Sequence, residues 1–179
     1  MDITLTEEER IRIVNADDLY GIMQKILLRE QKIDQNREHF WVVGLESNNR
    51  LLFIELISLG TVNMTLVEPM EVFSFALQKR AVKIVLVQNH PAGALKPSDQ
   101  DKDITDRLIQ VGRIVKTPVE DHLIISDHSY LSLLDTGLLE QLQQSTKYVP
   151  AYELVERADR VAAESATTKK AISIAKEMK

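Results

Sequence analysis

An α/β domain is the fold class this sequence predicts, on three observations. Apolar runs of strand length, rich in β-branched and aromatic residues, recur at 40–45, 51–57, 83–87 and 122–126. Segments with helical apolar spacing alternate with them, as in Leu19, Ile22, Met23, Ile26 and Leu27. Finally, the run ending at Val87 breaks into a polar loop held by Pro91, Gly93 and Pro97, then enters a helix at Ser98. Polar side chains delivered by a buried strand into a loop and a helix start are where α/β proteins tend to keep their chemistry.

Each element has its own local reason. Residues 4–10 are polar and acidic, and 11–14 form a short strand-like run. Asn15 or Asp17 offers an N-cap for a helix to about residue 30, and 31–38 is a charged connector. The runs 40–45 and 51–57 are joined by Glu46-Ser47-Asn48-Asn49-Arg50, which predicts a β-hairpin with Asn-Asn at the turn. Gly60 and Asn63 interrupt the next stretch, and Pro69 starts a helix to about residue 80. After the strand at 83–87 comes a helix over about 98–115, with Ile104, Leu108, Val111 and Val115 as its apolar stripe. A strand at 122–126, a turn at 127–129, a short run at 130–134 and a short helix at 137–144 follow.

Composition sets bounds on function. At 179 residues, 44% hydrophobic and 27% charged, the chain is an ordinary soluble type, long enough for one compact domain and an appendage. It has no cysteine, which excludes disulfides and thiolate zinc sites. No segment approaches 18 apolar residues, and the acidic N-terminus lacks a signal-peptide pattern. The expectation is a cytoplasmic protein without a membrane partner. A net charge of −5 argues against a nucleic-acid partner, since phosphate binding needs a basic face; the densest basic cluster is Lys79, Arg80 and Lys83.

The chemistry concentrates in Gln88-Asn89-His90-Pro91-Ala92-Gly93 and Pro97-Ser98-Asp99-Gln100-Asp101. Gln88 and His90 are two apart, so continued strand geometry projects both to one side, and Asp101 in the first helical turn can fold back toward them. Two donors at i and i+2 plus a carboxylate outline a metal site with one weak ligand. Glu55 shares its strand face with Phe53 and Ile57, and a carboxylate on an apolar face either lines a cleft or is expensively buried. Structural alternatives stand beside these readings. Ser98 and Asp101 fit a capping box, Asp101 fits a first-turn anion, and His90 can order its turn through the backbone.

The same residues resemble the signature of the RadC-like branch of the JAB/JAMM (MPN) metalloprotein family, His-x-His-Pro-x-Gly followed by Pro-Ser-x-x-Asp. Glu55, Gly60-Thr61-Val62, Pro69, Asp121-His122-Leu123-Ile124-Ile125 and Tyr130-x-Ser132 extend the likeness over roughly residues 36–140. The resemblance implies a curved mixed sheet flanked by helices (a JAB/MPN-like, cytidine-deaminase-like architecture). It also implies a zinc hydrolase of metallopeptidase type, with His90 and Asp101 as ligands, Glu55 as acid/base and Ser98 as donor to the oxyanion. Members of the family often carry a DNA-repair label. Gln88 is the departure, standing where the family has its first metal histidine. An amide oxygen is a poorer zinc donor than imidazole, so the expected Zn²⁺ site is weak or empty. Its side chain would then hydrogen-bond His90 or Asp101 where the metal sits. The competing reading is an inactive MPN module for protein–protein assembly.

Three segments follow: an extension at 1–35, the JAB/MPN-like domain at 36–145, and a helical tail at 146–179. The tail is rich in Ala, Glu, Lys and Arg, with a thin stripe of Leu154, Ala158, Val161 and Ala162 and a weakened middle at Ser165-Ala166-Thr167-Thr168. It is either packed on its own domain or an arm for a homo-oligomer or a protein partner; the cleft is a second place for a protein or peptide.

Overall fold

The computed structural model describes residues 11–29, 36–60 and 67–177. The readings made on 1–10, 30–35 and 61–66, Thr61 and Val62 among them, lie outside the described residues. The chain divides into two compact units, residues 1–144 and 145–179.

In the first unit the elements run α1 (Ala16–Arg29), β1 (His39–Leu45), β2 (Leu51–Leu59), α2 (Pro69–Gln78), β3 (Lys83–Asn89), α3 (Asp99–Ile114), β4 (Val119–Ile125), β5 (Tyr130–Ser132) and α4 (Leu138–Gln143). The strands form one mixed sheet in the order β2-β1-β3-β4-β5. β1 pairs antiparallel with both β2 and β3, whereas β3 and β4 are parallel, joined by the crossover that contains α3. The α/β class and the helix-flanked mixed sheet agree with the sequence reading.

Local signals explain most boundaries. Asn15 Oδ1 accepts from the Asp18 N–H at 2.9 Å while Asp18 Oδ2 accepts from Val14 N–H at 2.8 Å, so the start of α1 is capped from both directions. Asn49 sits at φ 65° in the β1–β2 turn, a left-handed conformation that Asn tolerates. The strand-like run at 11–14 amounts to a single bridge between Arg12 and Arg50.

Apolar side chains pack both sheet faces. α1 buries Leu19, Ile22, Met23, Ile26 and Leu27 against Trp41, Val43, Val85, Val87, Leu123 and Ile125. Each such side chain contributes about 1.5–3 kcal/mol of burial. The other face, with Phe40, Val42, Phe53, Ile84, Leu86 and Ile124, packs against Val72 and Phe73 of α2 and Leu108 and Ile109 of α3. β1 and the inner part of β3 are therefore buried on both sides, which is why they read as unbroken apolar runs. The buried face of α3 is more polar than its expected stripe, taking in Thr105, Asp106 and Gln110.

In the second unit α5 (Ala151–Glu177) runs without interruption, so the expected weakening at 165–168 does not break it. Ser165, Thr167 and Thr168 donate their hydroxyls to the carbonyls of Val161, Ala163 and Glu164, four residues back, satisfying polar groups that would otherwise compete with the helix. No helix among the described residues is long and apolar enough to cross a membrane.

Candidate functional site

A cleft of about 310 Å³ opens at the C-terminal end of β3, beside the first turns of α3. Gln88, His90, Ser98 and Asp101 all line it, with Glu38, Phe40, Glu68, Asp103 and Arg107 among its other walls. Strand alternation carries Gln88 and His90 to one side as the sequence predicts, and the amide nitrogen of Gln88 lies 2.8 Å from Nε2 of His90. Asp101 Oδ2 stands 3.3 Å from the same ring nitrogen.

The capping box fixes Asp101. Ser98 Oγ accepts from the Asp101 N–H at 3.1 Å, and Asp101 Oδ2 accepts from the Ser98 N–H at 2.7 Å. One carboxylate oxygen thus closes the helix start and faces His90 at once. Burial works against its charge, but hydrogen bonds from His90, Gln88 and Ser98 outweigh that and hold Asp101 well below the usual carboxylate range.

His90 is oriented from its far side. Its Nδ1 lies 2.7 Å from the Ala94 carbonyl, which can only accept, so Nδ1 carries a proton. In the neutral ring Nε2 is then the acceptor for the Gln88 amide, and in the imidazolium it donates to Asp101. The hydrogen bond with Asp101 raises the His90 pKa. Burial opposes it, while the Ala94 carbonyl and the charges of Asp101 and Glu38 reinforce it.

His122 supports this arrangement from β4. It is fully buried, in register with Leu86 on the sheet face that carries Gln88. Its Nδ1 lies 2.7 Å from Thr105 Oγ1, whose hydroxyl proton goes to the Asp101 carbonyl at 2.5 Å. Thr105 therefore accepts from His122 Nδ1–H, leaving Nε2 as a bare lone pair with no partner among the described residues. Burial, opposed by the Asp101 charge and aided by that of His90, drives the His122 pKa down to about 4. Asp121 points away from this network. It accepts from Ser132 Oγ at 2.6 Å and from the Leu134 N–H at 2.9 Å, tying β4 to the end of β5 and the segment after it.

Glu55 is not brought to the cleft. The pairing register sets Glu55, Val42, Leu86 and His122 in one row across the sheet, one row deeper than Phe40 and Gln88. β2 is also two strands from β3, about 10 Å to the side at ordinary strand spacing. Glu55 shares the sheet face of Gln88, yet it is 3% exposed and absent from the cleft walls. Beside Asp101, Glu68 and Asp103, the cleft walls include the carboxylate of Glu38, at the head of β1, which the sequence reading placed only in a charged connector.

A model of the RadC-like JAB domain matches residues 13–138. The chain belongs to that family. Relatives include the UPF0758 protein of Desulforudis audaxviator, 43% identical over 112 residues that make up 63% of this chain and 49% of the relative. The UPF0758 protein of Desulforamulus reducens is 39% identical over 132 residues, 74% of this chain and 56% of the relative. That of Methanosarcina mazei is 35% identical over 137 residues, 76% and 58%. The chain thus spans about half the length of the curated relatives it matches.

The donor set does not suit a resident zinc. Such a site in a JAB domain needs three protein ligands and an open position. Here the candidates are one imidazole, one carboxylate and a neutral amide, with the imidazole nitrogen and carboxylate oxygen facing each other at 3.3 Å. Among the described residues no group of three His, Cys, Asp or Glu side chains could hold a metal ion.

Proposed function

We propose that this chain is a JAB-domain protein with the cleft of a metallopeptidase-type hydrolase and a degraded metal position, its residual role being to bind a protein or peptide partner. One observation carries the reading: the Gln88 amide lies 2.8 Å from Nε2 of His90, the ring nitrogen left for a metal once Nδ1 is committed to Ala94. In the neutral ring an N–H donor occupies that lone pair, so a metal would have to displace a hydrogen bond and then accept an amide oxygen as its third ligand. Asp101 and Ser98 keep their places for a separate reason, the helix cap. A cleft so arranged offers hydrogen-bonding groups and a partly acidic wall, which suits the polar backbone of an extended peptide.

Zinc titration of the wild type and of Gln88→His, each followed by calorimetry and thermal unfolding, tests this. The wild type should hold well under one zinc per chain. The substitution should restore a same-face imidazole pair and tighten binding at least tenfold, the lower end of what disturbing even an outer-shell partner costs. Tenfold corresponds to about 1.4 kcal/mol, and the melting temperature should rise with zinc because the metal binds only the folded state. Stoichiometric, tight zinc in the wild type would sink the proposal, and no gain in Gln88→His would show that the loss lies beyond residue 88.

A further inference from the structure

We infer that Asn89 is a positioning residue that holds Glu38 in the wall of the cleft that His90 also lines. The inference rests on the same cleft being the working site, and it concerns a residue that takes no part in the Gln88–His90–Asp101 contacts. Asn89 is 1% exposed and sits between Gln88 and His90, where strand alternation turns its side chain away from theirs. The backbone ladder between β1 and β3 ends at the pair Phe40–Gln88. Beyond that pair the Asn89 side chain takes over: its Oδ1 accepts from the His39 N–H at 2.6 Å, and its Nδ2 donates to the Arg37 carbonyl at 3.0 Å.

Those two groups flank one residue. The Arg37 carbonyl belongs to the peptide unit before the Glu38 Cα, and the His39 N–H to the unit after it. A single buried amide therefore restrains both soft dihedrals of Glu38. The end of β2 completes the restraint: the Gly60 N–H donates to the Glu38 carbonyl at 2.8 Å, and Arg37 Nε donates to the Gly60 carbonyl at 3.0 Å. Both peptide units around Glu38 are thus pinned, which fixes the direction of its Cα–Cβ bond into the cleft. Two hydrogen bonds to a strand end that the β3 backbone ladder no longer reaches would serve as plain structure wherever the chain needed a tether. Their placement on either side of the one carboxylate that the strand head gives to the cleft is what points to Glu38.

NMR on the metal-free protein tests the inference, so that its outcome is independent of the zinc titration. The probes are the three-bond coupling that reports φ of Glu38 and the NOEs from its side-chain methylenes to the other cleft residues, compared in the wild type and Asn89→Ala. Asn89→Ala should average the coupling and lose those NOEs, while the NOEs between Phe40 and Gln88, paired across β1 and β3, stay. A tether acting only on stability would leave Glu38 ordered in any protein that still folds. Should Asn89→Ala fail to fold, Asn89→Ser, which keeps a hydroxyl near the strand end, decides by the same comparison. An unchanged coupling with unchanged cleft NOEs in the folded Asn89 variant overturns the inference.

Discussion

Lowering the pH from 6.5 toward 5 should destabilise the first unit through one residue, His122. Its folded pKa is depressed to about 4 by burial, against about 6.5 in an unfolded chain. Between these values the unfolded chain binds a proton that the folded chain refuses, so stability falls as pH falls, by up to 1.36 kcal/mol per unit, as an approximate limit for one proton. From pH 6.5 to 5 this amounts to about 2 kcal/mol, and over the whole window to about 3 kcal/mol, a large share of an ordinary domain's margin of about 5–15 kcal/mol. Other shifted groups act elsewhere. His90, with its raised pKa, contributes stability that is fully present below about pH 6.5 and is lost only as pH rises through its folded value. Asp101 contributes stability that is lost only in the carboxylate range. Asp121, raised by burial, opposes the trend only at the acid end. The assay is urea unfolding at a series of pH values, followed by the fluorescence of Trp41, the one tryptophan, buried in this unit. In His122→Phe the slope between pH 5 and 6.5 should largely vanish. A wild type with flat stability over that range, or an unchanged slope in the variant, would refute the reasoning.

Ser98→Ala removes the hydroxyl that accepts from the Asp101 N–H and should cost about 1 kcal/mol in chemical unfolding; a neutral result would mean the cap is not used in solution. Gly44→Ala should cost about 1–3 kcal/mol, because an added Cβ would stand 2.0 Å from the buried Phe53 ring, and thermal unfolding of the variant measures it. Thr105→Val takes away the acceptor of His122 Nδ1–H and should destabilise by about 1–3 kcal/mol, read by the same urea series. Binding to duplex DNA near physiological salt should be no tighter than the roughly 10⁻⁴–10⁻⁶ M of non-specific binders, given the net charge of −5. A sub-micromolar, salt-dependent gel shift would contradict it.

The parts of the site that lie close together along the chain were legible; those assembled by strand pairing were not. Strand alternation puts Gln88 beside His90, and three-residue helical spacing puts Ser98 opposite Asp101, so both pairs follow from local geometry. The position of Glu38 depends on β1 running antiparallel to β3, which sets the head of one strand beside the tail of the other. Periodicity carries no information about such a non-local pairing. Glu55 could be assigned to a sheet face from alternation, but its row and its distance from β3 depend on registers across two strand pairs. An acidic residue immediately before a fully buried strand was the one available signal for Glu38. The polar face of α3 escaped notice for a related reason: Thr105 is useful only because His122, seventeen residues later, arrives on the adjacent strand.

The double employment of Asp101 bears on how this position should be read across relatives. Its carboxylate closes the helix cap whether or not an ion is nearby, so a lineage that abandons metal chemistry still gains from keeping it. An aspartate here, with the serine three residues before it, is consequently a poor witness to catalysis. Residue 88 has no such second occupation: its amide touches the Asp101 carboxylate, but neither of the two bonds of the capping box runs through it, and it is free to drift once the ion is no longer needed. The state of that one side chain, more than the preservation of the motif around it, is what should sort working members of the family from those that have turned to other uses.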